Sequence, residues 1–242
     1  MIKVITSKNN DKVKYAVSLK DNKNRKKEGK FIGEGKKALE LALQAGLVSE
    51  VFTYETLLID EIIPQFLVNE EVMKKLSSNV NPEGVVFIAK MPEFRKDNFK
   101  KILFLDSIND PGNLGTLVRT ALAFSYDAVV TSPDSVSIYN EKALAACKGA
   151  NYLIPVFQDN LSNYKDEYQI IVSTLKDESV DVNEVKPADK FVLVLGNEAH
   201  GVSRNSESLA DVFVKIPMSN INSLNVSVAG GILMFLIHKY LG

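Results

Sequence analysis

The second half of the chain alternates apolar runs with segments that fit helices. Six runs rich in Val, Ile, Leu and Phe predict strands: 102–106, 127–131, 152–157, 169–174, 191–196 and 212–217. Near-continuous apolar strands separated by helices are typical of a parallel sheet buried on both faces. The pattern therefore predicts an α/β fold for this half, with helices on both faces of the sheet.

The first half predicts a smaller α/β domain. Helices are predicted over 9–20 and 36–46, a loop over the basic stretch between them, and strands at 51–54, 65–68 and 84–89. Residues 91–100, MPEFRKDNFK, are polar and contain a proline, which favours a linker. We predict domains over 1–92 and 101–242, joined by a linker over 93–100.

Three polar segments follow predicted strands, at 107–116, 196–203 and 218–225. Ligands of parallel sheets bind at the carboxyl ends of strands, so one site is predicted there. The third segment offers polar side chains from Ser219, Asn220, Asn222, Ser223 and Asn225, and an apolar run from Val226 to Leu241 follows it. Taken alone, this segment also fits a buried helix that Ser223 or Asn225 caps.

Two glycines interrupt that apolar run. Gly230 and Gly231 would each cost a helix roughly 1 kcal/mol relative to alanine. Their presence predicts close packing of the backbone against another element or a partner chain.

The first polar segment reads NDPGNLGTLVRTALAF from 109 to 124. Residues 110–112 predict a turn, after which Asn113 begins a helix that carries Arg119. Six positions are roughly 600° of helix, so Asn113 and Arg119 border one site only if Asn113 belongs to the cap or turn. A capped helix with a surface arginine is the alternative.

The second polar segment, LVLGNEAHGVS at 193–203, predicts a strand, a tight loop with Glu198, and a helix that Ser203 caps. A tight connection without chemistry is the simpler interpretation of this segment alone. It contains neither a Walker loop nor the G-x-G-x-x-G fingerprint. An ordinary doubly wound nucleotide-using enzyme is therefore disfavoured.

The composition, 45% hydrophobic, is that of a globular protein. Cys147 is the only cysteine and His200 and His238 are the only histidines, so no intrachain disulfide and no Cys/His zinc site is expected. The start of the chain lacks a signal-peptide core, and the longest apolar run is too short to span a membrane. These features predict a cytoplasmic protein without membrane or metal.

Charge is unevenly distributed along the chain. The net charge is −1, yet residues 1–37 contain 12 Lys or Arg and 4 Asp or Glu. No aromatic residue interrupts the densest run, 20–30, so recognition of nucleic-acid backbone or shape is favoured over base stacking. A solvated charged helix is the alternative. The predicted nucleic-acid contacts are Lys20, Lys23, Arg25, Lys26, Lys27, Lys36 and Lys37.

Together, NLGTLVR, GNEAHG and IPM…SLNVSVA resemble, in order and spacing, the three motifs of the SpoU (TrmH-like) branch of the knotted SPOUT RNA methyltransferases. This resemblance covers 101–242, and residues 5–43 resemble the family's N-terminal substrate-binding domain of ribosomal-protein-like α/β fold. It implies methyl transfer from S-adenosylmethionine to a ribose 2′-hydroxyl without a metal. It also implies a homodimer and a C-terminal trefoil knot.

The resemblance also implies roles for individual residues. The cofactor site would comprise Leu195, Gly196, Asn197, Gly201, Ile216, Met218 and Leu224, and the reactive site Asn113, Arg119, Glu198, Ser223 and Asn225. Two departures are present: the family often has glycine near position 220 in a loop one residue longer, and glycine where Ala199 stands here. Because Asn tolerates left-handed geometry, Asn220 is expected to preserve the turn.

Within this resemblance, ribosomal RNA is the favoured substrate because of the N-terminal domain. Transfer RNA modification, antibiotic-resistance methylation and a non-catalytic RNA-binding or ribosome-assembly factor remain as alternatives.

Overall fold

The computed structural model describes residues 2–94, 98–221 and 223–239. The chain divides into two compact units. The first comprises residues 1–93 together with 139–152, and the second comprises 94–138 together with 153–242.

Both units contain helices and strands. Up to residue 90 they are β1 (Ile2–Ile5), α1 (Asp11–Ser18), α2 (Asn22–Glu28), β2 (Lys30–Glu34), α3 (Lys36–Gln44), β3 (Val48–Thr53), β4 (Gln65–Val68), α4 (Glu70–Leu76) and β5 (Val85–Lys90). After it they are β6 (Lys101–Leu105), α5 (Pro111–Ala123), β7 (Ala128–Thr131), α6 (Glu141–Cys147), β8 (Val156–Gln158), β9 (Gln169–Ser173), β10 (Val180–Asp181), β11 (Phe191–Leu195), α7 (Arg204–Ser208), β12 (Val212–Lys215) and α8 (Val226–Lys239). Strands β8 to β11 follow one another without an α-helix between them, where the sequence had predicted helices.

The first unit is built on a mixed five-stranded sheet. Its strand order is β1-β4-β3-β5-β2. Strands β1, β4 and β3 are parallel, and β5 runs antiparallel to both β3 and β2. One core contains residues of α1 and α4, and another contains residues of α3, so helices cover both faces. The predicted small α/β domain is confirmed in its secondary structure.

The basic stretch after residue 20 forms helix α2, so the prediction of a loop is wrong there. The Asp21 side chain accepts a hydrogen bond from the Asn24 N–H at 3.0 Å and caps the helix. Lysines and arginine in its last turn complement the negative end of the helix dipole. The cap and the charges at its end stabilise this helix, which lacks the apolar periodicity by which helices are predicted.

The segment 139–152 belongs to the first unit, which corrects its predicted assignment to the second domain. The rings of Tyr139 and Tyr152 lie 4.7 and 6.1 Å from the ring of Phe31, measured between centroids. Tyr152 therefore packs in the first unit's core instead of extending a strand. Strand β8 consequently begins at Val156, later than the predicted start at 152.

The second unit contains a seven-stranded sheet in which all pairs are parallel. Its order is β10-β12-β9-β11-β6-β7-β8. Every residue of the central strand β11 is buried, as expected for a strand covered on both faces. The predicted parallel α/β sheet is thus confirmed. The chain order reverses between β6 and β11, and ligands bind at such a switch point in open α/β sheets.

Helix α8 packs along α5, and its two glycines have different surroundings. A Cβ atom added to Gly230 would lie 2.5 Å from Leu117 Cδ2 and 2.6 Å from Leu195 Cδ1. One added to Gly231 would meet only Thr120 Cγ2, at 3.9 Å. Close packing inside the chain therefore explains Gly230 and leaves Gly231 unexplained. The end of the predicted apolar run, at 240–241, lies outside the described residues.

This difference gives a paired prediction. We expect Gly230→Ala to lower the free energy of unfolding by about 1–3 kcal/mol because the methyl group overpacks the α5–α8 contact. The matched variant Gly231→Ala should be neutral or stabilise by up to about 1 kcal/mol, since alanine favours the helix and has room. Urea unfolding of both variants measures the contrast, and equal effects would contradict the packing described here.

Candidate active site

The three polar segments follow strands β6, β11 and β12 at one edge of the parallel sheet. Strands β6 and β11 are direct neighbours, and β12 lies one strand beyond β11. Because all these strands are parallel, their carboxyl ends share an edge. The predicted convergence of the segments is therefore confirmed at the level of the backbone.

Hydrogen bonds fix the turn after β6. Ser107 adopts a left-handed conformation with φ 59°, and its N–H donates to Ser132 Oγ at 2.7 Å. The Ser107 hydroxyl donates to Asp134 Oδ2 at 2.5 Å. The hydroxyls of Ser107 and Ser132 hold the pKa of Asp134 below its ordinary value because they stabilise the carboxylate. The turn is thus tied to the neighbouring end of β7.

Helix α5 begins at Pro111, two residues earlier than the sequence predicts. Asp110 is its N-cap and accepts a hydrogen bond from the Asn113 N–H at 2.8 Å, with Pro111 at the first helical position. Asn113 is therefore inside the first turn, so the condition under which it and Arg119 would border one site is not met. The Asp-Pro pair was the signal, because proline is favoured immediately after a cap.

The loop after β11 closes on itself. The N–H of Asn197 donates to the Gly201 carbonyl at 2.8 Å, and the Gly201 N–H donates back at 2.9 Å. A Cβ atom on Gly196 would lie 2.3 Å from the backbone carbon of Gly201 and from Val202 N. Only glycine fits at position 196 in this closed loop.

The Asn197 side chain connects this loop to the turn after β6. Its Nδ2 donates to the Ser107 carbonyl at 2.7 Å, and its Oδ1 accepts from the N–H groups of Ala199 and His200 at 2.8 and 3.2 Å. The buried carboxylate of Asp106 adds a second link by accepting from Ser203 N at 2.7 Å. The sequence pattern gave no indication of either link, because both depend on the sheet order.

Side chains from all three segments form one hydrogen-bonded chain. Asn113 Nδ2 donates to Glu198 Oε1 at 2.6 Å, and Asn225 Nδ2 donates to Asn113 Oδ1 at 3.1 Å. Asn225 Oδ1 in turn accepts from Ser227 N at 2.9 Å at the start of α8. Each amide thus has its oxygen and nitrogen oriented by a partner. Three of the five predicted reactive residues are brought together.

The chain of hydrogen bonds lines an open cleft of about 620 Å³. Its lining residues are Asn109, Asp110, Asn113, Asn197, Glu198, Ala199, His200 and Asn225. Most of these offer hydrogen-bonding groups, so the cleft suits a polar ligand such as a ribose. His200 is an exposed residue of this lining.

Two predicted reactive residues lie outside this lining. Arg119 is exposed on α5 and forms no hydrogen bond or ion pair with the residues that the structure describes. Arg119 and Asn113 both lie inside the helix, where the six positions between them correspond to about 600° of rotation. Their side chains therefore point to different sides of α5. Ser223 is also exposed. Among the described residues, neither side chain belongs to the lining of the cleft.

The remaining residues of the predicted cofactor site follow the same sheet edge. Leu195 is buried at the end of β11, whereas Ile216, Met218 and Leu224 are half-buried in the irregular segment between β12 and α8. Asn220 has φ 68°, which confirms its expected left-handed geometry. Asn222 lies outside the described residues. The segment thus combines apolar side chains with backbone outside any helix or strand.

Asn225 has two functions that one pair of variants separates. We expect Asn225→Ala to lower the free energy of unfolding by about 1 kcal/mol because α8 loses its capping acceptor. Asn225→Asp retains an oxygen that can cap α8, so its free energy of unfolding should stay close to that of the unmodified protein. It has no N–H group to donate to Asn113 Oδ1, so that hydrogen bond should be lost. Thermal unfolding measures this difference. Equal destabilisation by both variants would contradict the capping role.

The predicted nucleic-acid contacts have different environments. Arg25 is buried, and its guanidinium donates to the carbonyls of Leu19 and Lys20 at 3.2 and 2.6 Å. It satisfies acceptors at the end of α1, so its assignment as a surface contact is wrong. Lys20 pairs with Glu141 at 3.3 Å. The remaining predicted contacts are exposed: Lys23, Lys26, Lys27, Lys36 and Lys37.

The described residues contain neither a membrane-spanning helix nor a cluster of metal ligands. No helix among them has the length and apolar character that crossing a bilayer requires. Over the same residues, no group of three or more His, Cys, Asp or Glu side chains is arranged to hold a metal ion.

Comparison with known proteins places these features in a family. Residues 100–235 match the SpoU rRNA Methylase family, and residues 10–86 match the MRM3-like substrate binding domain. The 23S rRNA (guanosine(2553)-2′-O)-methyltransferase RlmP of Bacillus subtilis is 32% identical over 244 residues. That alignment covers 97% of this chain and 98% of RlmP.

Solved structures give the same result. An rRNA methyltransferase from Sinorhizobium meliloti, also solved with AdoMet bound, has a TM-score of 0.88 at 25% identity and covers 99% of this chain and 98% of its own. An RNA 2′-O ribose methyltransferase has a TM-score of 0.82 at 27% identity, with coverages of 98% and 99%. With more than half of its length matched by the family model, the chain belongs to the SpoU rRNA methylase family.

Proposed function

We propose that this protein transfers a methyl group from S-adenosylmethionine to a ribose 2′-hydroxyl of ribosomal RNA. The observation that carries the proposal is the hydrogen-bonded chain from Glu198 through Asn113 to Asn225, which joins the three motif segments at one cleft. Family membership and the named activity of RlmP support the reaction and its RNA substrate.

The residues after β11 and β12 fit the proposed cofactor. An adenosine group needs apolar walls for its ring and polar backbone groups at its edges. The half-buried Ile216, Met218 and Leu224 offer the walls, and the irregular backbone around them offers the polar groups. When bound, S-adenosylmethionine supplies an electrophilic methyl group on a sulfonium. Gly196, Asn197 and Gly201 would shape the adjoining side of the site.

The cleft residues would orient the ribose. A hydroxyl is a weak nucleophile, so its placement in line with the methyl group contributes much of the acceleration. Glu198 accepts from the Asn113 amide, and Asn113 accepts from the Asn225 amide. These hydrogen bonds fix the orientation of both amide groups toward the ribose. Ser223 would contact the same substrate from the loop before α8.

Arg119 would provide the positive charge. A guanidinium stays protonated at ordinary pH, so it acts by binding the phosphate beside the target and stabilising the developing alkoxide instead of removing a proton. The absence of any partner for Arg119 in the described residues leaves its charge available for RNA. The hydroxyl proton would pass to an oxygen of the bound phosphate.

The proposed enzyme is a homodimer. Val228 and Phe235 of α8 are 50% and 53% exposed, and the roomy position of Gly231 lies on the same helix. Thr120, next to Arg119, approaches Gly231, so the arginine borders this apolar face. Pairing two such faces would bury them and bring Arg119 to the subunit boundary. A monomer in light scattering at micromolar concentration would contradict this pairing.

Two further features belong to the proposal. We infer a trefoil knot in the second unit and a ribosomal-protein-like fold in the first, both supported by membership of the SpoU family. Cytoplasmic location is inferred from the substrate, ribosomal RNA.

The exposed lysines of the first unit would bind RNA phosphates. We expect the double variant Lys23→Ala, Lys26→Ala to weaken binding of ribosomal RNA and to make the slope of log affinity against log salt less negative by about 1–2. The matched variant Lys74→Ala removes a lysine that pairs with Glu70 on α4, and should leave the slope unchanged. Filter binding at several salt concentrations measures both.

Mapping ribose methylation in ribosomal RNA from cells with and without the protein tests the proposed function. Loss of one 2′-O-methyl group from ribosomal RNA is the expected result. Loss from transfer RNA instead would favour the tRNA alternative. An unchanged methylation pattern with a ribosome-assembly defect would favour a non-catalytic factor.

A further inference from the structure

The first unit contains a cavity of about 600 Å³ that is separate from the proposed active site. Three parts of the unit line it: the segment from Ile32 to Ala38, the segment from Leu76 to Val86, and α6 with the residues that follow it. The third part comes from the segment 139–152. The volume of the cavity lies within the range of small-molecule sites.

The walls of this cavity combine buried apolar residues with many polar and charged side chains. Ile32, Leu76 and Val86 are buried residues of the lining. The carboxylates of Glu34 and Glu83 and the ammonium groups of Lys142 and Lys148 also lie along it. Apolar walls with both donors and acceptors suit a flat heterocycle better than a simple ion.

Asn151 supplies an unsatisfied donor at this cavity. The residue is 2% exposed, and its Nδ2 has no partner in good hydrogen-bond geometry among the described residues, although its side chain interacts with the phenol of the adjacent Tyr152. Its Oδ1 accepts from the Cys147 thiol at 3.1 Å, which directs the Nδ2 elsewhere. Burial raises the pKa of that thiol, so it stays protonated and remains a donor. A ligand acceptor would remove the cost of the unpaired N–H.

Glu83 indicates which ligand chemistry the cavity favours. A Cβ atom on Gly35, the residue that precedes α3, would lie 2.9 Å from Glu83 Oε2. The carboxylate therefore already lies at the N-terminus of α3, where the helix dipole attracts an anion. A phosphate group is disfavoured there. Glu83 forms no hydrogen bond or ion pair within the described part of the chain, and so its oxygens are free to accept.

We propose that this cavity binds an unpaired guanine base of the substrate RNA. Guanine is the base whose Watson–Crick edge has two adjacent N–H donors, which match a carboxylate, beside one carbonyl, which matches an amide donor. Glu83 accepts from N1–H and N2–H, and Asn151 Nδ2 donates to O6. Single-stranded RNA is commonly read through such edges of splayed bases. The inference rests on the proposed RNA substrate and adds a recognition site to it.

Fluorescence anisotropy of the full chain with short labelled uridine oligonucleotides tests this assignment. With one central guanosine, we expect binding about tenfold tighter than with a central adenosine or inosine, since inosine lacks the N2 amine. Glu83→Gln should abolish that preference. Glu71→Gln makes the same charge change on the exposed surface of α4 and should retain it.

A second variant and a second measurement keep the test decisive. Asn151→Asp replaces the donor with an acceptor and should also abolish the preference, provided circular dichroism shows that it folds. Methyl transfer to ribosomal RNA is measured in parallel for the unmodified protein. Equal affinity for all central bases with normal transfer overturns the guanine site alone. Absent transfer with a retained guanosine preference rejects the proposed reaction and leaves the guanine site in place.

Discussion

Replacement of Arg119 with alanine is expected to lower kcat for methyl transfer by about 100- to 1000-fold, the cost of removing one group that stabilises transition-state charge. Arg119 is exposed and has no partner in the described part of the chain, so its removal disturbs no internal contact. The affinity for S-adenosylmethionine should change less than about twofold, because the proposed cofactor residues follow β11 and β12 and not α5.

Single-turnover kinetics measure the first effect and calorimetry the second. Arg204→Ala is the matched control, since Arg204 is an exposed arginine at the start of α7 in the same unit. It should retain normal transfer. Full turnover by the Arg119 variant would reject the assigned role, and weakened cofactor binding would place Arg119 in the cofactor site instead.

Gly196→Ala is expected to produce the second large effect, the loss of cofactor binding. The new methyl group would lie 2.3 Å from backbone atoms of Gly201 and Val202, and backbone cannot move aside as a flexible side chain can. The loop must open, which breaks the paired hydrogen bonds between Asn197 and Gly201. We expect the Kd for S-adenosylmethionine to rise at least about tenfold and the free energy of unfolding to fall by about 1–3 kcal/mol.

Gly201→Ala separates steric overlap from backbone strain. Gly201 has φ 70°, but an added Cβ atom would have no neighbour within 4 Å. Alanine there should cost only about 1–2 kcal/mol for the left-handed conformation, and cofactor binding should largely survive. Calorimetric titration of both variants measures the contrast. Unchanged cofactor affinity in the Gly196 variant would exclude this loop from the cofactor site.

The sheet of the second unit was predictable because its strands are buried on both faces. A run such as FVLVL at 191–195 has no polar residue, and all five of its residues are buried. The carboxyl ends of such strands locate a site without knowledge of the side-chain geometry. For this reason the sequence could predict the meeting of the polar segments at one edge.

The details of the site depended on helix phase and on capping. The spacing of Asn113 and Arg119 predicts about 600° of helical rotation between them, but whether they share a site depended on which residue caps α5. Asp110 caps it, so the two side chains diverge. The bonds that Asn197 and Asp106 make across neighbouring loops depend on the order of strands, which local patterns do not contain.

The first unit shows two further limits of local patterns. Arg25 belongs to the densest basic run, yet its guanidinium is buried because the end of α1 needs donors. Segment 139–152 continues the second half in sequence but packs with Phe31 of the first unit. Long-range packing decides both outcomes, whereas composition and periodicity report only on neighbours in the chain.

The central claim is ribose methylation, and nucleoside analysis of the product tests it most directly. Purified protein is incubated with S-adenosylmethionine and unmodified ribosomal RNA, and the RNA is digested and analysed by mass spectrometry. We predict a new 2′-O-methylnucleoside that is absent when the Arg119→Ala variant is used. A methyl group on a base, or no methylated product although both ligands bind, would contradict the account.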